Sequence, residues 1–239
     1  NATQVLEIDP ATGTTALIGS ELAGSIKYAG IASAANGKLY CAPRNATQVL
    51  EIDPVTGTTA LIGSVYADGS KYWGITSAAN GKLYCAPFNA TQVLEIDPAT
   101  GTTALIGSEL AGSIKYAGIA SAANGKLYCA PRNITKVLEI DPVTGIIALI
   151  GSVLAGSDKY TGITSAANGK LYCAPRNATQ VLEIDPLTGT TALIGSVFTG
   201  LVKYFGITSG ANGNLYCAPH VATQVLEINS VGSFNSFSE

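Results

Sequence analysis

The sequence predicts an all-β fold, a five-bladed β-propeller of 44-residue, four-stranded blades. Three observations carry that expectation. The chain of 239 residues repeats itself every 44, with copies at 1–44, 45–88, 89–132, 133–176 and 177–220 and a partial sixth at 221–229. Residues 1–44 and 89–132 are identical. Each copy holds four short runs rich in β-branched and aromatic residues, divided by turn residues, and no 3.6-residue period runs through any of them. Four antiparallel strands in some 40 residues describe a propeller blade.

Taken in order from Lys27, the four runs are "KYAGIASA", "GKLYCAP", "TQVLEID" and "TTALIGS". Asn36-Gly37 joins the first two and suits a type I′ hairpin, which needs positive φ at both central residues. "DPATG" (Asp9 to Gly13) joins the last two, with Pro presetting φ and Gly supplying a left-handed residue. The N-terminus brings only third and fourth strands (Thr3 to Ser20), and the C-terminus brings first, second and third (Lys203 to Asn229). A closed ring is expected if the two ends share one blade, which removes a free sheet edge. One third strand is then surplus and is available to pair with a neighbouring molecule. Residues 1–229 form a single domain on this reading, and the Ser-rich tail 230–239 is expected to fray.

"GIASAANGKLYCAPRNATQVLEIDPVTGTTALIGS" (Gly30 to Ser64) resembles the YVTN-type blade of surface-layer β-propellers and, more loosely, NHL blades. The shared features are a Gly-Ile opening, Asn-Gly before a "KxYxxx" strand, an Asn opening the next loop, and "VxxIDxxTxT" feeding the last strand. The resemblance covers essentially the whole chain and implies the fold. "LYCAP" stands where that family usually has "VYVAN".

Composition narrows the function classes. A net charge of −3 gives no basic face for nucleic acid. No stretch approaches the roughly 18 apolar residues of a membrane span, so no membrane insertion is expected. With no Met at position 1 and a start inside a repeat, the N-terminus is expected to be a cut or processed end that leaves targeting information outside the sequence. An extracellular or cell-surface location is the expectation. Cys41, Cys85, Cys129, Cys173 and Cys217 recur at the 44-residue period, which is not disulfide arithmetic, and they read as small buried fillers. They have no partners at metal-ligand spacing, and "DPATG" lacks the carboxylate ladder of a calcium loop, so neither metal nor cofactor is expected.

Catalysis is not expected either. The one histidine, His220, stands in a slot that holds Arg or Phe elsewhere, and the recurring Glu7/Asp9 pair sits in the same environment in every copy. Differences between copies instead gather in two places. One is the segment before each first strand, such as "ELAGSIKYAG" against "VYADGSKYWG" and "VFTGLVKYFG". The other is the residue after "CAP": Arg44, Phe88, Arg132, Arg176 and His220. Both belong to one end of the disc, where rigid β scaffolds hold ligands.

The candidate ligand-binding residues are therefore Trp73, Phe205, Tyr72, Tyr204, Arg44, Phe88, Arg132, Arg176 and His220. Trp73 and Phe205 fill a slot held by Ala29, Ala117 and Thr161 in other copies, so folding does not require them. Aromatic faces beside polar groups suit sugar rings. The N-x-T triplets at Asn45, Asn89, Asn133 and Asn177 are candidate glycan acceptors, or else close their loops with local hydrogen bonds. The expected function is a non-enzymatic binding or adhesion module holding glycans or surface proteins through several weak sites. The rival is a structural scaffold, natural or engineered, that folds or self-assembles without a ligand.

Overall fold

A computed structural model describes residues 2–229 and the backbone of a short strand at 234–235. Among the described residues every regular element is a strand. A separate hairpin comes first, β1 (Val5–Asp9) and β2 (Thr14–Ile18). Five four-stranded antiparallel sheets follow, each in sequence order. The first blade is β3 (Tyr28–Ser33), β4 (Leu39–Pro43), β5 (Val49–Asp53) and β6 (Thr58–Ile62). The second is β7 (Tyr72–Ser77), β8 (Leu83–Pro87), β9 (Val93–Asp97) and β10 (Thr102–Ile106). The third is β11 (Tyr116–Ser121), β12 (Leu127–Pro131), β13 (Val137–Ile140) and β14 (Ile147–Ile150). The fourth is β15 (Tyr160–Ser165), β16 (Leu171–Pro175), β17 (Val181–Asp185) and β18 (Thr190–Ile194). The fifth is β19 (Tyr204–Ser209), β20 (Leu215–Pro219), β21 (Leu226–Ile228) and β22 (Phe234–Asn235). The five-bladed propeller expected from the repeat is thus present.

The turns follow their residues, with one correction. Gly13 takes φ +71° and its N–H donates to the Asp9 carbonyl at 2.8 Å, while Asp9 Oδ1 accepts from the Ala11 N–H. At Asn36-Gly37 only Gly37 has positive φ, and its N–H donates to the Ala34 carbonyl. That is a type I turn followed by a left-handed glycine, not type I′. The Asn36 side chain is free of the strain a positive φ would bring and accepts from the Lys38 N–H.

The core lies between blades. The back of each blade offers a second-strand Tyr and Ala and a third-strand Val; the front of the next offers first-strand Tyr and Ile, second-strand Leu and Cys, and third-strand Leu and Ile. Tyr84, Ala86 and Val93 meet Tyr116, Ile119, Leu127, Cys129, Leu138 and Ile140 in this way, and the layer repeats at all four junctions. The five cysteines are free and buried, four of them in these layers and Cys41 under the N-terminal hairpin, as expected of fillers. Close stacking of the inner strands depends on the glycine after the first-strand Tyr pair. A Cβ on Gly74 would lie 2.6 Å from the Ala117 carbonyl oxygen.

Each second-strand Tyr also anchors a polar network. Tyr84 donates to Glu95 Oε2 at 2.8 Å and Lys82 Nζ meets Oε1 at 2.6 Å, with Asn80 bridging to the Pro142 carbonyl of the next blade. The repeated carboxylates are therefore structural.

Closure differs from expectation. β1 and β2 form their own two-stranded sheet and do not join the fifth blade. β21 keeps the third place beside β20, burying Leu226 and Ile228, and Phe234–Asn235 supplies a fourth strand. A hairpin to the adjacent segment costs far less loop entropy than recruiting β1 from the far end of the chain. The remainder of the tail lies outside the described residues. The hairpin instead packs Val5, Ile18 and Leu22 on Tyr28, Leu39, Leu50 and Ile52 of the first blade, standing where the outer half of a preceding blade would stand. Extensive contacts link successive inner strands from β3 through β19, with no counterpart joining β19 to β3 among the described residues.

Candidate functional site

A belt of backbone hydrogen bonds fixes the residue after each "CAP". The Arg44 N–H donates to the Lys27 carbonyl, and the Arg44 carbonyl accepts from the Lys71 N–H at 2.9 Å. The same zigzag passes through Phe88, Lys115, Arg132, Lys159, Arg176, Lys203 and His220. Beneath it Lys71, Lys115, Lys159 and Lys203 are buried and their ammonium groups donate to loop carbonyls, Lys115 Nζ to Gly112 at 2.9 Å and to Asn89 at 3.0 Å. The five variable side chains thus leave a rigid rail at the mouth of the inner strands.

Seven of the nine candidate residues come together there. Trp73 lies 5.1 Å from Phe88 and 6.2 Å from Phe205, ring centroid to centroid, and Phe205 stacks on His220 at 5.8 Å. The Arg44 guanidinium carbon stands 4.4 Å from the Trp73 centroid, and that of Arg132 is 5.5 Å from Trp73 and 5.2 Å from Phe88. Such cation–π contacts hold a guanidinium by its face and leave its edge free to bond. Arg176 completes the group through Asp158, which lies 2.5 Å from Arg132 Nε and 3.0 Å from Arg176 Nη1.

Tyr72 and Tyr204 do not belong to it. Both are buried in the layers between blades, because the first-strand Tyr points along the stacking direction while its neighbour points to the axis.

Asp158 was not among the candidates, although it stands in "VLAGSDKYTG" where the other copies have Ile26, Ser70, Ile114 and Val202. All five take φ near +50°, an unfavourable region for β-branched residues. The N-x-T asparagines hold this conformation: Asn45, Asn89, Asn133 and Asn177 accept through Oδ1 from the N–H of Ser70, Ile114, Asp158 and Val202. These side chains therefore close the loop, as one of the two readings of the triplet requires. The strained backbone aims the one acidic side chain of the set at two arginines. Burial would raise the Asp158 carboxyl, but the hydrogen bond and charge of Arg132, joined by Arg176, win and hold it below its ordinary value.

Three guanidiniums against one carboxylate leave the cluster with two positive charges in excess. Several of their donors are buried without an acceptor in the protein: Arg44 Nε, Arg132 Nη1, and Arg176 Nε and Nη1. Arg176 Nη1 is close enough to Asp158 for an ion pair but not aimed for a hydrogen bond. Arg132 is only 9% exposed. A buried unpaired donor costs about 1–3 kcal/mol, more when charged, so these groups call for an acceptor. The Thr161 hydroxyl, in the same inner-strand slot as Trp73, is likewise buried and unpartnered.

Concavities lie at the rim, between the loop before a first strand and the "NATQ" loop. The one around Leu22, Tyr28, Thr47, Gln48 and Leu61 holds about 470 Å³, and equivalents recur in other blades. Their glutamines are already committed, Gln48 to the Gly63 carbonyl, Gln92 to that of Gly107 and Gln180 to that of Gly195. The rim offers recurring grooves; the axis offers free donors.

No protein-family model and no curated protein sequence matches the chain. Solved structures do match in shape. Virginiamycin B lyase from Staphylococcus aureus superposes with a TM-score of 0.81 at 17% identity, over 99% of this chain and 77% of that one. A streptogramin B lyase gives 0.82 at 18%, over 98% and 75%. Hydrazine synthase from Kuenenia stuttgartiensis gives 0.71 at 15%, over 94% and 70%. Likeness at such identities establishes the fold, and the repeat-propeller architecture is secure. The expectation that the chain is not an enzyme is corrected by the same comparison. Lyases are built on this scaffold, so the propeller itself does not exclude catalysis.

Proposed function

We propose that the chain binds an acidic sugar at the axial end of the propeller, with the anionic group on Arg44, Arg132 and Arg176 and the ring against Trp73 and Phe205. The observation that carries this reading is the set of buried guanidinium donors without a protein acceptor, on side chains already oriented by aromatic faces. Arginine edges match a carboxylate or sulfate in bidentate fashion. Aromatic faces suit the apolar side of a sugar ring. Because the variable residues converge, the reading is one site per chain in place of several equivalent ones. A setting at the cell surface, where polysaccharides are met, belongs to this reading. A second reading, several weak sites in the rim grooves, is favoured by the recurrence of those grooves in several blades.

A glycan array spanning neutral, uronate-bearing and sulfated sugars, followed by calorimetry, separates the two. One equivalent of an acidic sugar per chain, lost in Arg132→Ala, supports the axial site. A stoichiometry of four or five supports the grooves, and no preference for acidic over neutral sugars rejects the axial proposal. Mass spectrometry of the incubated sugars reports any turnover.

A further inference from the structure

Resting on the axial reading, we infer that the ligand is a diacid, with one acidic group on either side of an aromatic wall that crosses the mouth of the propeller. The wall is His220, Phe205, Trp73 and Phe88, with successive ring centroids 5.8, 6.2 and 5.1 Å apart. Trp73 and Phe88 come from the second blade, Phe205 and His220 from the fifth. The rings therefore run without a break from one rail position to another.

Core layers join the blades in sequence order, first to second through to fourth to fifth. A line from the second blade to the fifth leaves the third and fourth together on one side and the first on the other. The chain's three arginines divide accordingly, Arg44 of the first blade against Arg132 and Arg176 of the third and fourth. Trp73 is where the two sides meet. Arg44 from the blade before it stands 4.4 Å from its centroid, and Arg132 from the blade after it 5.5 Å. The sequence carries the same division. Arginine follows "CAP" in the blades whose inner slot holds Ala29, Ala117 or Thr161, whereas Phe88 and His220 accompany Trp73 and Phe205.

Charge is balanced across the wall. Among the described residues Arg44 forms no ion pair, which leaves one positive unit on its side. Arg132 and Arg176 share Asp158, which leaves one unit on theirs. The buried lysines of the belt turn their ammonium groups onto loop carbonyls instead. Each side also has donors without an acceptor: Arg44 Nε on one, and Arg132 Nη1, Arg176 Nε and Nη1 and the Thr161 hydroxyl on the other. A single acidic group on one side leaves the charge and donors of the other unmet. Two acidic groups meet both, with the apolar body of the ligand on the rings.

Calorimetry of the 239-residue chain with two pairs of probes tests the inference: digalacturonate and its monomethyl ester, then adipate and its monomethyl ester. The diacid of a pair should bind at one equivalent and at least about tenfold more tightly than its ester, since a charge-assisted contact is lost in the ester. Arg44→Gln should erase that difference, and Arg44→Lys, which keeps the charge, should retain part of it. Digalacturonate and its ester binding alike, with no preference for adipate, overturns the diacid and leaves the acidic sugar standing. Adipate preferred over its ester while neither uronate binds supports the diacid and rejects the sugar. No binding of any probe overturns both, and a preference unchanged in Arg44→Gln overturns the diacid alone.

Discussion

Trp73 and Phe205 meet with ring centroids 6.2 Å apart, although they come from the second and fifth blades, which share no core layer. In the other blades the same slot holds Ala29, Ala117 or Thr161. Two large rings and three small side chains thus fill the mouth of the inner strands. The arginines that stack on the rings are held from above by the backbone belt and from below by the aromatic faces.

Asp158 competes with any incoming anion for Arg132 and Arg176. Asp158→Asn should therefore tighten binding of an acidic sugar, by a few-fold to tenfold, read by calorimetry at pH 7. Acid should do the same in the parent chain. The carboxyl lies below its ordinary 3.8, so affinity for a sulfated ligand, which stays ionised, should rise as pH falls through that lowered value. The sign for stability is opposite: the ion pair stabilises the fold above the ordinary value and is lost as pH falls through the folded one.

Removing the Tyr84 hydroxyl leaves Glu95 with a lost hydrogen bond in a closed layer. Tyr84→Phe should cost about 1.5–3 kcal/mol in urea unfolding, the range for bonds to charged groups. Tyr216→Phe should cost less, because Tyr216 is half-buried and its glutamate, Glu227, is met by Asn214 where the other blades have lysine.

The inner-strand glycines give a paired test of the open end after β19. Gly74→Ala drives a Cβ against the Ala117 carbonyl and should destabilise by about 1–3 kcal/mol. Gly206 has nothing within 4 Å of the added carbon, so Gly206→Ala should stay within about 0.5 kcal/mol of the parent. Equal penalties at both positions would place a neighbour beside β19.

The cysteines should resist thiol reagents until the chain unfolds. Burial pushes Cys41 and Cys217 up to about 12 from an ordinary 9.0 and raises Cys85, Cys129 and Cys173 too. A thiol raised in the fold stabilises it below the ordinary value and loses that contribution as pH climbs through the folded one. The urea midpoint should hold to about pH 9 and fall between 9 and 12, the window set by Cys41 and Cys217.

The blades were legible because periodicity and turn chemistry agree at every repeat. Asp-Pro-x-Thr-Gly and Asn-Gly fall between strands throughout, though the letters "NG" did not distinguish a type I turn with a left-handed glycine from type I′. Closure was not legible. "TQVLEID" at the start and "TQVLEIN" near the end are nearly interchangeable, and only the cost of loop closure gives β21 the place beside β20. Variation between copies located most of the axial cluster, because residues not needed in every blade are free to differ. Tyr72 and Tyr204 were misplaced for the converse reason: a residue kept in every blade serves the layers. Asp158 was one letter in a variable loop, and its arginines lie in the "CAP" slots of the third and fourth blades, so the pairing arises only when blades stack.

Trp73 is the sole tryptophan, so its fluorescence reports the axial site alone. Titration with a uronate oligosaccharide should give a saturable change at one equivalent, absent with the neutral counterpart and abolished in Arg132→Ala. An unchanged spectrum, or the same response to neutral sugar or in the variant, would contradict the account.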